Sequence, residues 1–255
     1  MKFLYDIWFT YVRHARASLR EPVWMFFSMI QPLIWLILFT QIFEDITLMP
    51  GFPADTYLQF FVPGLIVMLA VFGPVYSGFD VLSDIDHGVL EKMLVTPVNR
   101  YAIIIGSTID WATQLAMQVL IIFGIAYVMG ARIATGIGGI LLTIIIVVLL
   151  GLGFFGLSNA LVLATKKAEP LVVIGNLMTL PLMFLSSIMV PSQFAPEWIR
   201  IIMKLNPVNY AVEAARPLFL EGYNWPQIAT SLTVLGVFAT IGIISATLTL
   251  RKFGN

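Results

Sequence analysis

The sequence predicts an all-α polytopic membrane protein, a single transmembrane domain over residues 1–255, and two observations carry that prediction. Of its residues 59% are hydrophobic and only 11% charged, where soluble domains carry roughly a quarter charged. The charges divide the chain into six uninterrupted uncharged runs: Pro22–Phe43, Thr56–Phe79, Trp111–Ala131, Ile133–Thr165, Pro170–Pro196 and Gly222–Leu250. Each exceeds the roughly 20 residues that a helix needs to cross about 30 Å of hydrocarbon. Two further features bound function rather than fold: the net charge is zero and cysteine is absent. Zero net charge implies no bulk attraction to nucleic acid, and the lack of cysteine excludes disulfides, thiolate metal sites and a cysteine nucleophile.

Residues 2–20 read as an amphipathic helix. Leu4, Trp8, Tyr11, Ala15 and Leu19 make one face, and Asp6, Arg13, Arg16 and Arg20 the other. A basic-faced helix with aromatics opposite lies in the membrane interface rather than crossing it. Trp8, Arg13, Arg16 and Arg20 are its interface residues, with the arginines suited to an anionic inner leaflet. The charges scattered through this stretch leave no clean apolar core for a cleavable signal.

Six spans follow, at about residues 24–43, 57–82, 103–129, 137–165, 171–190 and 228–250. Pro32 should kink the first, because proline removes one backbone hydrogen bond. The second carries Pro63 and Pro74, then Tyr76, Phe79 and Asp80 toward its inner end. Asp110 lies near the inner end of the third. In the fourth, Gly156, Ala160 and Ala164 stand four apart and should share a face where another helix approaches closely. The fifth contains Asn176 and Pro181, and the sixth has few polar groups.

Two connecting segments do not read as plain loops. In Asp84–Tyr101, Leu90, Met93 and Leu94 fall at i, i+3 and i+4 and make one helical face, while Pro97 should end the helix at Thr96. So short a helix is marginal alone in water, and its apolar face requires a groove to dock in; a partner protein would supply one. Resting on the bilayer surface is the other reading. The outer segment Pro191–Pro226 is cut by five prolines. Its pieces Glu197–Leu205 and Val208–Leu220, broken at Asn206–Pro207, suggest a re-entrant helical hairpin between the fifth and sixth spans. Irregular backbone at that depth must be buried against protein or water, so the hairpin should pack between neighbouring spans.

Orientation follows from the basic residues, which favour the cytoplasmic side. With the N-terminus inside, ten of the 14 Lys and Arg fall on inner segments. Both termini and the Asp84–Tyr101 loop are then cytoplasmic, in a multi-pass protein of the cytoplasmic membrane.

Three stretches carry a resemblance. The loop GVLEKMLVTPVNRYAIIIGS resembles the coupling segment of type-2 ABC export permeases. The outer segment MVPSQFAPEWIRIIMKLNPVNYAVEAAR resembles that family's re-entrant hairpin, and NPVNYAVEAAR is similar to the drug-resistance subgroup. The amphipathic N-terminus before the first span is similar too, so the likeness covers essentially the whole chain. It implies a homodimer of this chain with two copies of a separate ATP-binding cassette ATPase. ATP and magnesium would sit on that partner. This chain holds no cofactor of its own and no GxxxxGK[ST] loop, so it is not itself an enzyme. Carried onto this sequence, the coupling helix between spans 2 and 3 comprises Gly88, Leu90, Glu91, Met93, Leu94, Thr96, Pro97 and Arg100.

The same resemblance implies export by alternating access along the homodimer interface. Candidate pathway residues are Phe72, Tyr76, Phe79, Asn176, Phe184 and Ser187. A path without fixed charge suits an amphipathic small molecule or drug, with a lipid or lipid-linked polysaccharide as the alternative. An ion-coupled secondary transporter or channel is the alternative of another class, and it would need ionisable groups near the midplane. No such group sits at a span midpoint. His14 and His87 lie far apart in the sequence and show no metal-ligand spacing, and no GxSxG elbow is present.

Overall fold

The computed structural model describes residues 2–20, 22–90, 92 and 100–253, and it is all-helical. Ten α-helices are described. In chain order they are α1 (Lys2–Arg20), α2 (Pro22–Ile42), α3 (Tyr57–Val75), α4 (Gly78–Asp86) and α5 (Arg100–Val128), then α6 (Gly136–Thr165), α7 (Ala168–Phe184), α8 (Glu197–Met203), α9 (Pro207–Leu220) and α10 (Trp225–Phe253).

Helix α3 is the centre of the molecule. Its side chains are buried on every face, from Tyr57 to Val75 with few exceptions, as a helix that is apolar all round requires. Thr56 caps it by accepting a hydrogen bond from the Gln59 N–H at 3.3 Å. An aromatic ladder joins it to α2: Trp35 meets Phe72, Phe39 meets Phe61 and Phe43 meets Tyr57, with ring centroids 5.6, 5.4 and 5.3 Å apart. Helices α5, α6, α7 and α9 surround the rest of α3.

Around this centre, α6 and α10 form the most extensive helix pair, and α1 lies along α5. Two glycine contacts explain how closely these pairs approach. A Cβ on Gly156 of α6 would collide with the backbone of Gly242 of α10, and one on Gly106 of α5 would lie 2.6 Å from the Thr10 Cβ of α1. Close approach on α6 therefore uses Gly153 and Gly156, while Ala164 is exposed. The expected stripe through Ala160 and Ala164 turns away from the contact after one turn.

Among the described residues four helical stretches are long and apolar enough to cross a membrane: Tyr57–Asp86, Tyr101–Val128, Gly136–Thr165 and Trp225–Lys252. Phe27–Ile42 and Ala168–Phe184 are shorter apolar helices. Of the six expected spans, the fifth, expected at about 171–190, is shorter than expected. Helix α7 stops at Phe184 rather than near 190, and its 17 residues rise about 26 Å, short of the full hydrocarbon thickness. Its last turn follows Pro181, and residues 185–191 leave the helix to be held by other elements.

Helix α1 turns Asp6 and Thr10 inward against α5 and exposes Phe3, Leu4, Tyr5, Trp8 and Phe9. The inward face is therefore small and polar, although a helical wheel places Asp6 with the basic side.

Candidate functional site

The end of the bundle that the basic residues predict to be cytoplasmic, its inner end, joins α1, α4 and the segment that follows α4. Gly88, with φ +65°, takes the left-handed backbone that glycine adopts at no steric cost. Its N–H bonds the Ile85 carbonyl at 2.9 Å, and its carbonyl accepts from the Lys92 N–H at 3.3 Å. Helix α4 therefore ends and a new turn begins within two residues. Leu90 opens that turn and is only 4% exposed. It packs with Leu163 at the end of α6 and Leu250 at the end of α10, with Val81, Ile85 and Ile104 alongside.

Arg13 of α1 reaches the same end. Its Nη2 donates to the Asp84 carboxylate of α4 at 3.0 Å and lies 2.9 Å from the His14 Nε2. Burial holds His14 below the usual imidazole pKa, the Arg13 charge adds to that shift, and Asp84 partly opposes it. Arg16 and Trp8 are exposed. Glu91, Met93, Leu94, Thr96 and Pro97 lie outside the described residues, as do the side chains of Arg20 and Arg100.

A second feature is an exposed apolar face built mainly by α7. Leu171, Gly175, Thr179 and Met183 turn inward at every fourth position, so the remaining residues, Val173, Leu177 and Phe184 among them, point out. Two polar residues interrupt that face, Glu169 in the first turn and Asn176 two turns on. The Asn176 Oδ1 accepts a hydrogen bond from the Tyr76 hydroxyl at 2.7 Å, and the Tyr76 ring stacks on Phe79 with centroids 6.2 Å apart. Three of the six expected pathway residues, Tyr76, Phe79 and Asn176, thus come together. Phe184 is exposed farther along α7. Phe72 turns toward Trp35 of α2. Ser187 is enclosed, 1% exposed, away from this face.

Ser187 belongs instead to a third feature at the opposite end, built by α9, whose start falls at the expected Asn206–Pro207 break. The broken backbone after α7 is clamped by one stripe of α9. Asn206 caps α9 by accepting from the Val208 N–H at 3.0 Å, and its Nδ2 donates to the Leu182 and Leu185 carbonyls at 2.6 and 2.8 Å. The Asn209 Oδ1 accepts from the Ser187 N–H at 2.9 Å, while its Nδ2 donates to Glu213 at 2.9 Å. The Arg216 Nη2 donates to the Ser187 and Ile188 carbonyls at 2.6 and 3.2 Å, and its Nε to the Phe60 carbonyl at 3.4 Å. The guanidinium also lies 3.7 Å above the Phe60 ring centroid. From α3, the Tyr57 hydroxyl donates to the Met189 carbonyl at 3.0 Å.

The physical need is plain. Without water, each unpaired backbone group in an apolar layer costs several kcal/mol. Ending α7 early frees several such groups, and α9 supplies donors and acceptors in register. The sequence does carry a signal for this: Asn206, Asn209, Glu213 and Arg216 follow the helical period in an otherwise apolar stretch. By the distribution of basic residues Arg216 counts among the outer-side cations, whereas the structure buries it on backbone carbonyls. Among the described residues no cluster of His, Asp or Glu could hold a metal ion.

Residues 5–220 match the family model described as ABC-2 type transporter. The chain is 30% identical over 221 residues to a putative transport permease, ycf38, of Cyanophora paradoxa, covering 86% of this chain and 75% of that one. It is 27% identical over 246 residues to the daunorubicin resistance ABC transporter permease protein DrrB1 of Streptomyces coeruleorubidus, covering 95% and 84%. To the probable doxorubicin resistance ABC transporter permease protein DrrC of Mycobacterium tuberculosis it is 27% identical over 193 residues, covering 75% and 68%.

Proposed function

This chain belongs to the ABC-2 type transporter family as a multi-pass membrane subunit, and from that premise we propose that it forms half of an ATP-driven exporter for an amphipathic small molecule or drug. In this family ATP hydrolysis resides on a separate cassette subunit. Two copies of that subunit, with ATP and magnesium, would drive a homodimer of this chain in the cytoplasmic membrane, both termini inside. The cargo would pass between the two copies by alternating access.

The exposed α7 face is the observation that carries the reading. Beyond Glu169 in its first turn it is apolar, broken by the Asn176–Tyr76 pair beside Phe79. Such a surface takes a flat amphipathic molecule through ring contacts and one oriented hydrogen bond. The names of two relatives, which record resistance to daunorubicin and doxorubicin, support the same cargo class.

Coupling falls to the segment from Gly88 to Arg100, with Met93 and Leu94 supplying the apolar contact to the ATPase. Leu94→Glu should leave membrane insertion intact and abolish co-purification of the ATPase; normal co-purification would refute the contact. Cargo is tested by ATPase stimulation in the reconstituted complex. Stimulation by anthracyclines supports a drug exporter, and a flat response to drugs with a rise on lipid-linked glycan reverses the assignment.

A further inference from the structure

A cavity of about 250 Å³ lies at the end of the bundle opposite the Gly88 turn, and it shares no lining residue with the α7 face or the α9 clamp. Its walls come from three parts of the chain: Asp55 and Gln59 at the start of α3, Arg132 and Ala134 between α5 and α6, and Phe219 at the end of α9. Bonds of their own fix these walls. The Ala134 N–H donates to the Phe219 carbonyl at 3.0 Å, and the Thr135 hydroxyl to the Leu218 carbonyl at 2.7 Å. The Phe219 ring stacks on Phe123 with centroids 5.2 Å apart. Asp55, Gln59 and Arg132 are the polar side chains of the lining. Among the described residues, none of these three side chains makes a hydrogen bond or an ion pair, with one another or elsewhere. Two opposite charges therefore border one small space without neutralising each other.

The depth of the cavity is marked by its neighbours. Tyr223 and Trp225 are exposed and stacked, with centroids 5.4 Å apart, and the Tyr223 hydroxyl donates to the Thr135 carbonyl at 3.5 Å. Exposed Tyr and Trp at the start of a span mark the layer of lipid headgroups. Val128 and Ile137, which bracket the Arg132 loop, are exposed and apolar, and Leu141 and Ile145 continue the exposed line along α6 at every fourth residue. Arg132 thus stands where hydrocarbon gives way to headgroups.

We propose that this cavity binds a phosphate ester bearing a primary ammonium, the head of a phosphatidylethanolamine in the outer leaflet. Free phosphoethanolamine carries the same chemistry, but the aromatic pair and the apolar line on α6 favour the lipid. The Arg132 guanidinium is a planar fork that matches a pair of phosphate oxygens. The Asp55 carboxylate accepts from the ammonium, and the Gln59 amide donates to a remaining oxygen. A zwitterion leaves neither charge unmet, whereas plain phosphate would leave Asp55 facing an anion. A quaternary ammonium has no N–H to donate and is held by cages of aromatic rings; Phe219 is the single aromatic ring of this lining. Drug-sized ligands take pockets of roughly 300–1,000 Å³, so the cavity is too small for the cargo and is a separate site.

The test uses the full chain, purified in detergent and stripped of lipid. It is titrated by calorimetry with dihexanoyl phosphatidylethanolamine, phosphatidylcholine and phosphatidylglycerol, and with free O-phosphoethanolamine. The parent should bind the ethanolamine lipid about tenfold more tightly than the other two lipids. Asp55→Asn should abolish that preference while still binding the glycerol lipid, because only the ammonium loses its acceptor. Arg132→Gln should weaken all three lipids about tenfold, with Arg132→Lys recovering part of the loss. Both residues are exposed, so the lipid-free melting temperatures should match the parent's, which separates loss of ligand from loss of fold. If Arg132→Gln fails that control, the preference of Asp55→Asn decides. Free O-phosphoethanolamine binding about tenfold more weakly than the lipid assigns the site to the lipid; equal binding supports the same chemistry with a soluble occupant. No binding of any probe, equal binding of the three lipids by the parent, or an intact ethanolamine preference in Asp55→Asn overturns the proposal.

Discussion

The outer and inner ends of this protein are held in opposite ways. At the outer end, Asn206, Asn209, Arg216 and Tyr57 bond a backbone run from Leu182 to Met189, with Phe60 stacked under the guanidinium. At the inner end, Arg13–Asp84 is a partly exposed ion pair, and the three leucines Leu90, Leu163 and Leu250 make a small core apart from the main one. The difference follows from where irregular backbone sits. A helix that ends short within the apolar layer must have its free carbonyls met by protein groups. A turn outside that layer can leave its free backbone groups to solvent. The outer end is thus held by paired backbone, and the inner end by a small apolar core and one partly exposed ion pair.

Substitutions can break that contrast, beginning with the strongest. Arg216→Ala strands the Ser187 and Ile188 carbonyls, and we expect it to cost about 3 kcal/mol, read as a clear fall in melting temperature in detergent. ATPase co-purification should survive in the molecules that fold. Arg216→Lys should recover only part of the loss, since an ammonium lacks the fork that spans two carbonyls and stacks on a ring. Asn206→Ala removes both a helix cap and two carbonyl partners, at an expected cost of about 2 kcal/mol by the same measurement. Asp84→Asn at the inner end should cost about 1 kcal/mol or less, because a partly exposed pair is weakened by solvent. Its larger effect should appear as less transport per ATP hydrolysed. A melting loss for Asp84→Asn as large as that for Arg216→Ala would erase the contrast.

The smallest effect is one of pH. His14 has its folded pKa held below the ordinary imidazole value of 6.5, so the unfolded state binds the proton more readily. Above about pH 6.5 both states are neutral and the group contributes nothing to pH dependence. As pH falls below that value, protonation penalises the folded state until the lower folded pKa is passed. Stability should decline over that window, and His14→Asn should flatten that part of the pH–melting curve. An unchanged slope would remove His14 from the inner junction.

Much of this is legible along the chain. The long apolar runs show the spans because hydrocarbon tolerates no other backbone, and the Asn206–Pro207 break marks where α9 begins. The pathway candidates Tyr76, Phe79 and Asn176 meet because helical spacing puts Asn176 on an exposed face of α7 and the chain turns at Tyr76. Ser187 and Phe72 face elsewhere for one reason: periodicity says which residues share a face of one helix, not which neighbour covers that face. Leu90 shows the same limit, since its apolarity calls for a groove and its own chain supplies one.

By itself the sequence determined that this is a helical membrane protein, where its polar interruptions fall, and which family it joins. These follow from hydropathy and local period, which are properties of consecutive residues. Only the tertiary structure decided that α7 ends early, that Arg216 is buried on backbone carbonyls, and that Leu90 meets α6 and α10. Each of those is a contact between residues far apart in the chain, and unpaired backbone finds its partner through packing rather than through any pattern along the chain.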